Sequence, residues 1–293
     1  MAKFLSKLKG ILNILRVKIF LFCVRHNLFD SIPGCSWLYS FFKPKGIIKI
    51  RIQSNLMYLD TQDDVIFKEL VTYGVYERQE TELVKKLIKP GMAILDIGAN
   101  IGYYTLIFAK LIGQRGVVYA FEPDPNNCNI LALNLKQNNF SNVILIQKAI
   151  SKKKEKVKLF IGEVNLGAHS FSENNIQLKK GGFIETETMT LDSFFKNRNR
   201  VDFIKIDTQG AEGLVIEGAT ELIKRNNLKI LMEFWPFGLK NLKTSPERLL
   251  ETLKDFGFKI RVLDDKENYT GEDVERIMQI AESKFHINLF LYK

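Results

Sequence analysis

The stretch "AILDIGANIGYYTLIFAK", residues 93–110, gathers residue types that can do chemistry: Asp96, Gly98, Asn100 and Gly102 at alternate positions. An apolar run ends on the acid, two glycines open a turn, and a helix-like pattern follows. Glycine is needed where the backbone takes a positive φ, or where a ligand crowds it too closely for a Cβ. A second acid, Glu122, closes the next apolar run in "YAFEPDP", 24 positions after Gly98. An acid there is placed to accept hydrogen bonds from the two hydroxyls of a ribose. The expected ligand therefore contains a nucleoside. A dinucleotide site would need G-x-G-x-x-G with backbone amides around a pyrophosphate. Here the spacing is G-x-N-x-G, and an anion at Asp96 would repel a pyrophosphate. It would suit a sulfonium or an amino group, so S-adenosylmethionine matches the charge pattern and NAD does not. The plain alternatives are a tight strand-to-helix turn for the glycines, a capping acid for Asp96 and a solvated acid for Glu122.

These residues need a scaffold that brings strand ends together, and the rest of the chain supplies one. "MAILDI", "GVVYAFE", "NVILIQKAI", "VDFIKID", "KILMEFW" and "FKIRVL" read as strands. Between them "YYTLIFAKLI", "NNCNILALNLKQNN", "AEGLVIEGATELIKRN" and "SPERLLETLKDFG" read as helices, and "INLFLYK" is a closing strand. Short Val/Ile/Phe-rich runs alternating with helices predict an α/β fold, a doubly wound parallel sheet with helices on both faces. Crossovers are right-handed, and the ligand crevice lies at the carboxyl ends of the strands. Upstream, "IIKIRI" and "NLMYLD" read as short strands, and "QETELVKKLI" as a helix closed by Pro90-Gly91.

The chain of 293 residues carries a net charge of +10, which resembles a nucleic-acid signal until it is located. Residues 1–50 hold nine of the 43 Lys and Arg but one of the 33 acids, Asp30, so +8 belongs to this arm. The remaining body is close to neutral, which argues against a nucleic-acid partner. In "KFLSKLKGILNILRVKIFLFCV" the apolar residues keep helical spacing with charges between them, an amphipathic basic helix. Arg16 and Lys18 interrupt the run, so it does not read as a membrane span. A signal-peptide cleavage site is also missing. Two readings stand: the arm packs on its own domain or on a sister subunit, or residues 3–24 lie on an anionic membrane surface. Pro33-Gly34 and "FKPKG" are breaks, dividing the chain into an arm at 1–46 and a domain at 47–293. Cys23, Cys35 and Cys128 form no metal or disulfide pattern, which fits a reducing cytoplasm, with a peripheral place at the inner membrane face as one option.

The ordered set "LDIGANIGYYT", "AFEPDP", "MTLDSF", "IKIDTQGAE" and "ILMEFW" resembles the FkbM family of S-adenosylmethionine-dependent methyltransferases, from about residue 73 to 236. The resemblance implies a class I methyltransferase fold, Rossmann-like and seven-stranded, with its last strand antiparallel. It implies O-methylation of hydroxyls on sugars or secondary metabolites, and a cofactor set of Asp96, Gly98, Asn100, Gly102 and Glu122. Glu77, in "GVYERQE", would stand near the cofactor entrance, or simply start a helix.

Attack by a hydroxyl on a methyl group needs alignment and a destination for the proton. Asp207, at the end of "IKID", and Glu212, in the first turn of the next helix, are the acidic candidates. Structural capping is the alternative for both. Many family members have Val-Glu where Thr208-Gln209 stands, which removes a carboxylate. A divalent metal is therefore allowed but not expected. His169 in "NLGAHSF" is the candidate general base, since imidazole titrates near neutrality. Lys205, mid-strand, needs a partner such as Asp207 or Glu233. His26 and His286 give no site signal. Residues 151–190 read as a β-hairpin insert that sets acceptor specificity, with "SKKKEK" a solvated turn. A non-catalytic nucleotide-binding module and an RNA methyltransferase are the competing functions, and oligomeric state stays open.

Overall fold

The computed structural model describes residues 15–26, 28–31, 39, 41–163, 165–178, 180–196, 200–263, 269–271 and 273–293. Residues 1–14 of the basic arm and the break at Pro33-Gly34, with Cys35, lie outside the described residues. The chain forms two compact units, Met1–Tyr76 and Glu77–Lys293. The segment that follows the expected boundary at 46/47 packs against the arm. The Phe20 ring stacks on Phe67 with centroids 6.3 Å apart, and Arg25 Nε donates to the Val71 carbonyl at 3.4 Å.

In the first unit, residues 15–25 are helical, as their amphipathic spacing predicts. Strands β1 (Ile47–Ile52) and β2 (Asn55–Asp60) pair antiparallel, followed by a helix at Ile66–Tyr73 closed by Gly74 at φ 66°. Gln53 Nε2 donates to the Gly74 carbonyl at 2.8 Å and ties hairpin to helix. Phe20, Val24 and Phe29 are buried. Leu15, Ile19 and Phe22 are 52%, 46% and 58% exposed, so the arm's apolar residues divide between an inner and an outer face.

The second unit is built on a seven-stranded sheet. Its strands are β3 (Ala93–Ile97), β4 (Val117–Phe121), β5 (Val143–Ile146), β9 (Phe203–Ile206), β10 (Lys229–Phe234), β11 (Lys259–Leu263) and β12 (Ile287–Tyr292). Their order is β11-β12-β10-β9-β3-β4-β5, parallel except for β12, which runs antiparallel between β10 and β11. This is the class I methyltransferase arrangement, a Rossmann-like doubly wound sheet. A three-stranded side sheet pairs β8 (Lys180–Met189) in parallel with β6 (Ala149–Ile150) and antiparallel with β7 (Lys156–Gly162), and β7 with β8 is the hairpin of the insert.

All five residues of β3 are buried, as befits a central strand covered on both faces. Leu95, Ile97, Ile204 and Ile206 enter one continuous core with Met232, Phe234 and Leu289. Each such side chain contributes roughly 1.5–3 kcal/mol by leaving water. That surplus supports two ionisable residues in the same strands, Asp96 and Lys205, which are register partners across β3 and β9. Beside them the sheet reverses order on either side of β3, the topological switch where ligands bind in such sheets.

Several elements depart from the sequence reading. The strand predicted over 142–150 divides, β5 staying in the main sheet while β6 joins the side sheet. The helix predicted over 211–226 breaks into Glu212–Glu217 and Thr220–Arg225. Gly218 lies at the break, where a Cβ would come 2.2 Å from the Ser151 carbonyl oxygen. Helices Pro236–Asn241 and Val274–Glu282 were not anticipated.

Candidate functional site

The carboxyl ends of β3, β4, β9 and β10 bring together most of the residues singled out above. Asp96 is buried; Thr105 Oγ1 donates to its Oδ2 at 2.5 Å, while Oδ1 has no partner among the described residues. Burial pushes its carboxyl up, and the Lys205 ammonium partly offsets this. A buried acceptor atom without a donor costs about 1–3 kcal/mol, so Oδ1 is poised for a ligand's N–H or cation.

Gly98 and Gly102 both have positive φ, 79° and 92°. Their need for glycine comes from close packing: a Cβ would lie 1.8 Å from the Asp207 carbonyl oxygen at Gly98 and 2.1 Å from Leu131 Cδ1 at Gly102. The first of these contacts lets the β3 and β9 turns cross. Asn100, also at positive φ (50°), donates its backbone N–H to Glu122 Oε2 at 2.7 Å. Its side-chain Oδ1 accepts from the Ile101 N–H, also at 2.7 Å. Glu122 takes the Asp124 N–H on Oε1 at 2.9 Å, and burial pushes it up to about 7.

Glu77 adopts φ 46° at the start of the helix Arg78–Leu87 and accepts from the Tyr104 hydroxyl at 2.8 Å. Burial pushes it up to about 7, with Lys205 pulling the other way. Lys205 is the cation of the cluster: Nζ donates to Asp207 Oδ2 at 3.0 Å and sits 4.6 Å from the Tyr104 ring centroid. Burial opposes its charge, but Asp207, Glu77 and Asp96 outweigh that and raise its pKa. Carboxylates outnumber ammonium groups here, which matches a cationic ligand and not a pyrophosphate. The set of acidic acceptors therefore fits a cationic nucleoside such as S-adenosylmethionine.

On the acceptor side, Asp207 Oδ1 accepts from Gln209 Nε2 at 3.0 Å, and the same amide donates to Glu233 Oε2 at 2.9 Å. Burial tends to raise Asp207, but Lys205 and these hydrogen bonds hold it below the ordinary carboxylate range. Glu233 is pushed well above it by burial and by the nearby Asp207 and Glu212. His286 Nε2 lies 3.9 Å from Glu233 Oε1, and burial lowers its pKa. Among the described residues no group of three or more His, Cys, Asp or Glu is arranged to hold a metal.

Two candidates prove to be supports. Glu212 is fully buried, and its Oε1 accepts from the Thr208 N–H, the Thr208 hydroxyl and the Gly210 N–H at 3.0, 3.0 and 3.1 Å. It shapes the turn after β9 and does not face the crevice as a catalyst. The general-base role expected of His169 is also corrected. Its Nδ1 accepts the Gly162 N–H at 3.2 Å, so Nε2 carries the proton and donates to Asp124 Oδ2 at 2.9 Å. With both nitrogens engaged and the ring buried, His169 pins the hairpin insert to the start of the Pro125–Gln137 helix. His286 is the residue that sequence reasoning did not place here, and Glu233 entered it only as a possible partner of Lys205. "LMEFW" at a strand end was the one available signal.

A Methyltransferase FkbM domain profile matches residues 96–260. A protein-L-isoaspartate O-methyltransferase of Methanococcoides burtonii is 37% identical over 103 residues, 35% of this chain and 50% of that protein. The chain thus aligns with half the length of that relative. A probable cobalt-precorrin-6B C(15)-methyltransferase (decarboxylating) of Sulfolobus acidocaldarius is 21% identical over 179 residues, 58% of this chain and 93% of that protein. The crystal structure of an FkbM methyltransferase from Methylobacillus flagellatus superposes with a TM-score of 0.44 and 14% identity, covering 83% of this chain and 56% of that one.

Proposed function

The chain belongs to the FkbM methyltransferase family and is an S-adenosylmethionine-dependent methyltransferase, and from that premise we propose that its acceptor is a hydroxyl of a sugar, glycan or small metabolite. S-adenosylmethionine, when bound, supplies a methyl group activated by its sulfonium. Asp96, Glu77 and Glu122 would hold it, and Asn100 would shape the turn beside its ribose. The observation that carries the hydroxyl reading is the Asp207–Gln209–Glu233 chain, an ionised carboxylate held beside a neutral amide at the mouth of the crevice. An alcohol becomes a strong acid as its oxygen gains a methyl group. Even a carboxylate with a depressed pKa can then take its proton, and Asp207 stays ionised across the neutral range. Gln209 keeps the neighbouring position neutral and orients both acids.

The test is to supply S-adenosylmethionine with methyl glycosides, polyols, phenols, an isoaspartyl peptide and ribosomal RNA, and to follow S-adenosylhomocysteine release. Turnover with a glycoside or polyol is expected. Asp207→Asn should lower kcat by about 10²–10⁴-fold while S-adenosylhomocysteine affinity changes little. Turnover restricted to the peptide or the RNA would overturn the hydroxyl reading.

A peripheral position at the inner face of a membrane belongs to the same reading. No helix among the described residues is long and apolar enough to cross a membrane. What supports surface contact is the outer face of residues 15–25, where Leu15, Ile19 and Phe22 are exposed beside Arg16 and Lys18.

A further inference from the structure

Beyond the reacting groups, the acceptor side carries an aromatic corner that the chemistry so far does not use. Trp235 directly follows β10 and is buried, with its ring centroid 5.8 Å from Phe237 and 4.9 Å from Phe285. Both phenyl rings are more than half exposed, 53% and 54%. Scattered surface phenylalanines are ordinary. These two share one buried indole and border the acceptor carboxylates, which is not ordinary.

The polar rim comes from the same two loops. Glu233 is two residues before Trp235, and His286 follows Phe285 with its side chain 43% exposed. The His286 ring stands at 80° to the Phe285 ring with centroids 5.6 Å apart. The corner is also built to be stiff. The helix Pro236–Asn241 lies flat on the indole because residue 238 is glycine; a Cβ there would be 2.3 Å from Trp235 Cε3. Asn175 Nδ2, from the insert, donates to the Gly238 carbonyl at 3.3 Å and to the Gln209 carbonyl at 2.9 Å. One side chain thereby fixes the corner relative to the turn that carries Asp207. Finally, the Trp235 indole N–H is buried with no acceptor among the described residues, an unsatisfied polar group in the floor of the corner.

We propose that Phe237 and Phe285, seated on the buried Trp235 indole and with His286 and Glu233 at their edge, form the binding platform for a pyranose ring of the acceptor. This deepens the hydroxyl-methyltransferase reading and rests on it. A pyranose offers an apolar C–H face to the electron-rich faces of the phenyl rings. Its hydroxyls need donors and acceptors at the rim, which His286 and Glu233 supply. A wholly apolar occupant, such as an acyl chain, would leave that rim unpaired at a cost. The platform holds the ring while the neighbouring hydroxyl is presented to Asp207.

The experiment is saturation-transfer NMR on the protein saturated with S-adenosylhomocysteine, probing methyl pyranosides of glucose, galactose, mannose and rhamnose, with catechol in parallel. At least one pyranoside should receive saturation on one C–H face. Phe237→Ala and Phe285→Ala, both at exposed positions, should each weaken that sugar about three- to tenfold, the scale of one aromatic contact. Calorimetry should show S-adenosylhomocysteine binding both variants as it binds the parent. Transfer to no sugar while the cofactor product binds, transfer to catechol alone, or sugar binding unchanged in both variants would each overturn the platform. Failure of S-adenosylhomocysteine to bind the parent protein would instead sink the methyltransferase reading, and the platform with it.

Discussion

Burial raises the carboxyls of Glu122 and Glu77 to about 7, and in the proposed site both would meet the cofactor. A cation or a pair of ribose hydroxyls binds the ionised form, so S-adenosylmethionine must expel whatever protons these groups hold. The sign follows: at pH 6 both are mostly protonated and binding releases protons, while at pH 8 little is released. The dissociation constant should fall as pH rises through 7, by about tenfold between pH 6 and 8 for each carboxyl that must ionise. Titration calorimetry in buffers of different ionisation enthalpy reads the proton release directly. Glu122→Gln should weaken binding and flatten the slope, whereas a pH-independent affinity in the parent would show that neither acid meets the ligand. Asp96, Glu122 and the glycine turn were legible in the sequence because one βα unit and the next strand fix their spacing. His286 and Phe285 were not, and Glu233 only as a possible partner of Lys205, because the pairing of β10 with β12, distant in the chain, brings them together. His169 misled for the opposite reason: its residue type suggested a base, and only three dimensions show that both nitrogens are engaged.

The turn after β9 is the element on which the acceptor side depends, and a buried acid organises it. Glu212 receives three donors on one oxygen while the other has none, and burial pushes it up to about 7 from an ordinary value of 4.5. An acid whose folded pKa is raised favours the folded state below its unfolded pKa and loses that advantage as pH rises through the folded value. The ligand-free protein should therefore lose thermal stability between pH 5 and 8. Glu212→Gln keeps an oxygen for the three donors and removes the titration, so its melting temperature should fall less over the same range. Equal slopes in calorimetric scans of the two proteins would assign the pH dependence to the crevice acids instead. At this scale the sequence showed the alternation of strands and helices well, since periodicity and apolar runs are local. It could not show where a strand leaves one sheet for another, as at Ile146–Ala149, or that the Ser151 carbonyl would lie against Gly218, where the helix breaks. Those are decided by packing between segments far apart in the chain.

The family match, residues 96–260, leaves the whole first unit outside it, so what that unit does must be argued from its own residues. Its helix at 15–25 turns Phe20 and Val24 inward, and Phe20 packs on Phe29, Tyr39 and Phe67. That is the packing reading of the arm, and it uses these two. Three others, Leu15, Ile19 and Phe22, recur one helical turn apart on the outer face, with Phe41 also exposed. Arg16 donates to the Phe41 and Lys43 carbonyls yet keeps an exposed guanidinium, and Lys43 pairs with Asp64. An apolar stripe flanked by cations, within a segment carrying +8, is complementary to an anionic phospholipid surface. Each basic residue near such a surface contributes about 1 kcal/mol, and salt screens that share. The protein should co-sediment with phosphatidylglycerol–phosphatidylcholine vesicles and release as salt is raised. It should bind phosphatidylcholine vesicles far less. Changing Leu15, Ile19 and Phe22 together to Gln should lower vesicle binding at least about tenfold, since each loses most of the roughly 1.5–3 kcal/mol its burial would contribute. Methyl transfer to a soluble acceptor should be unaffected. Undiminished vesicle binding by the triple variant, or none by the parent, would leave the outer face as a contact for another protein surface.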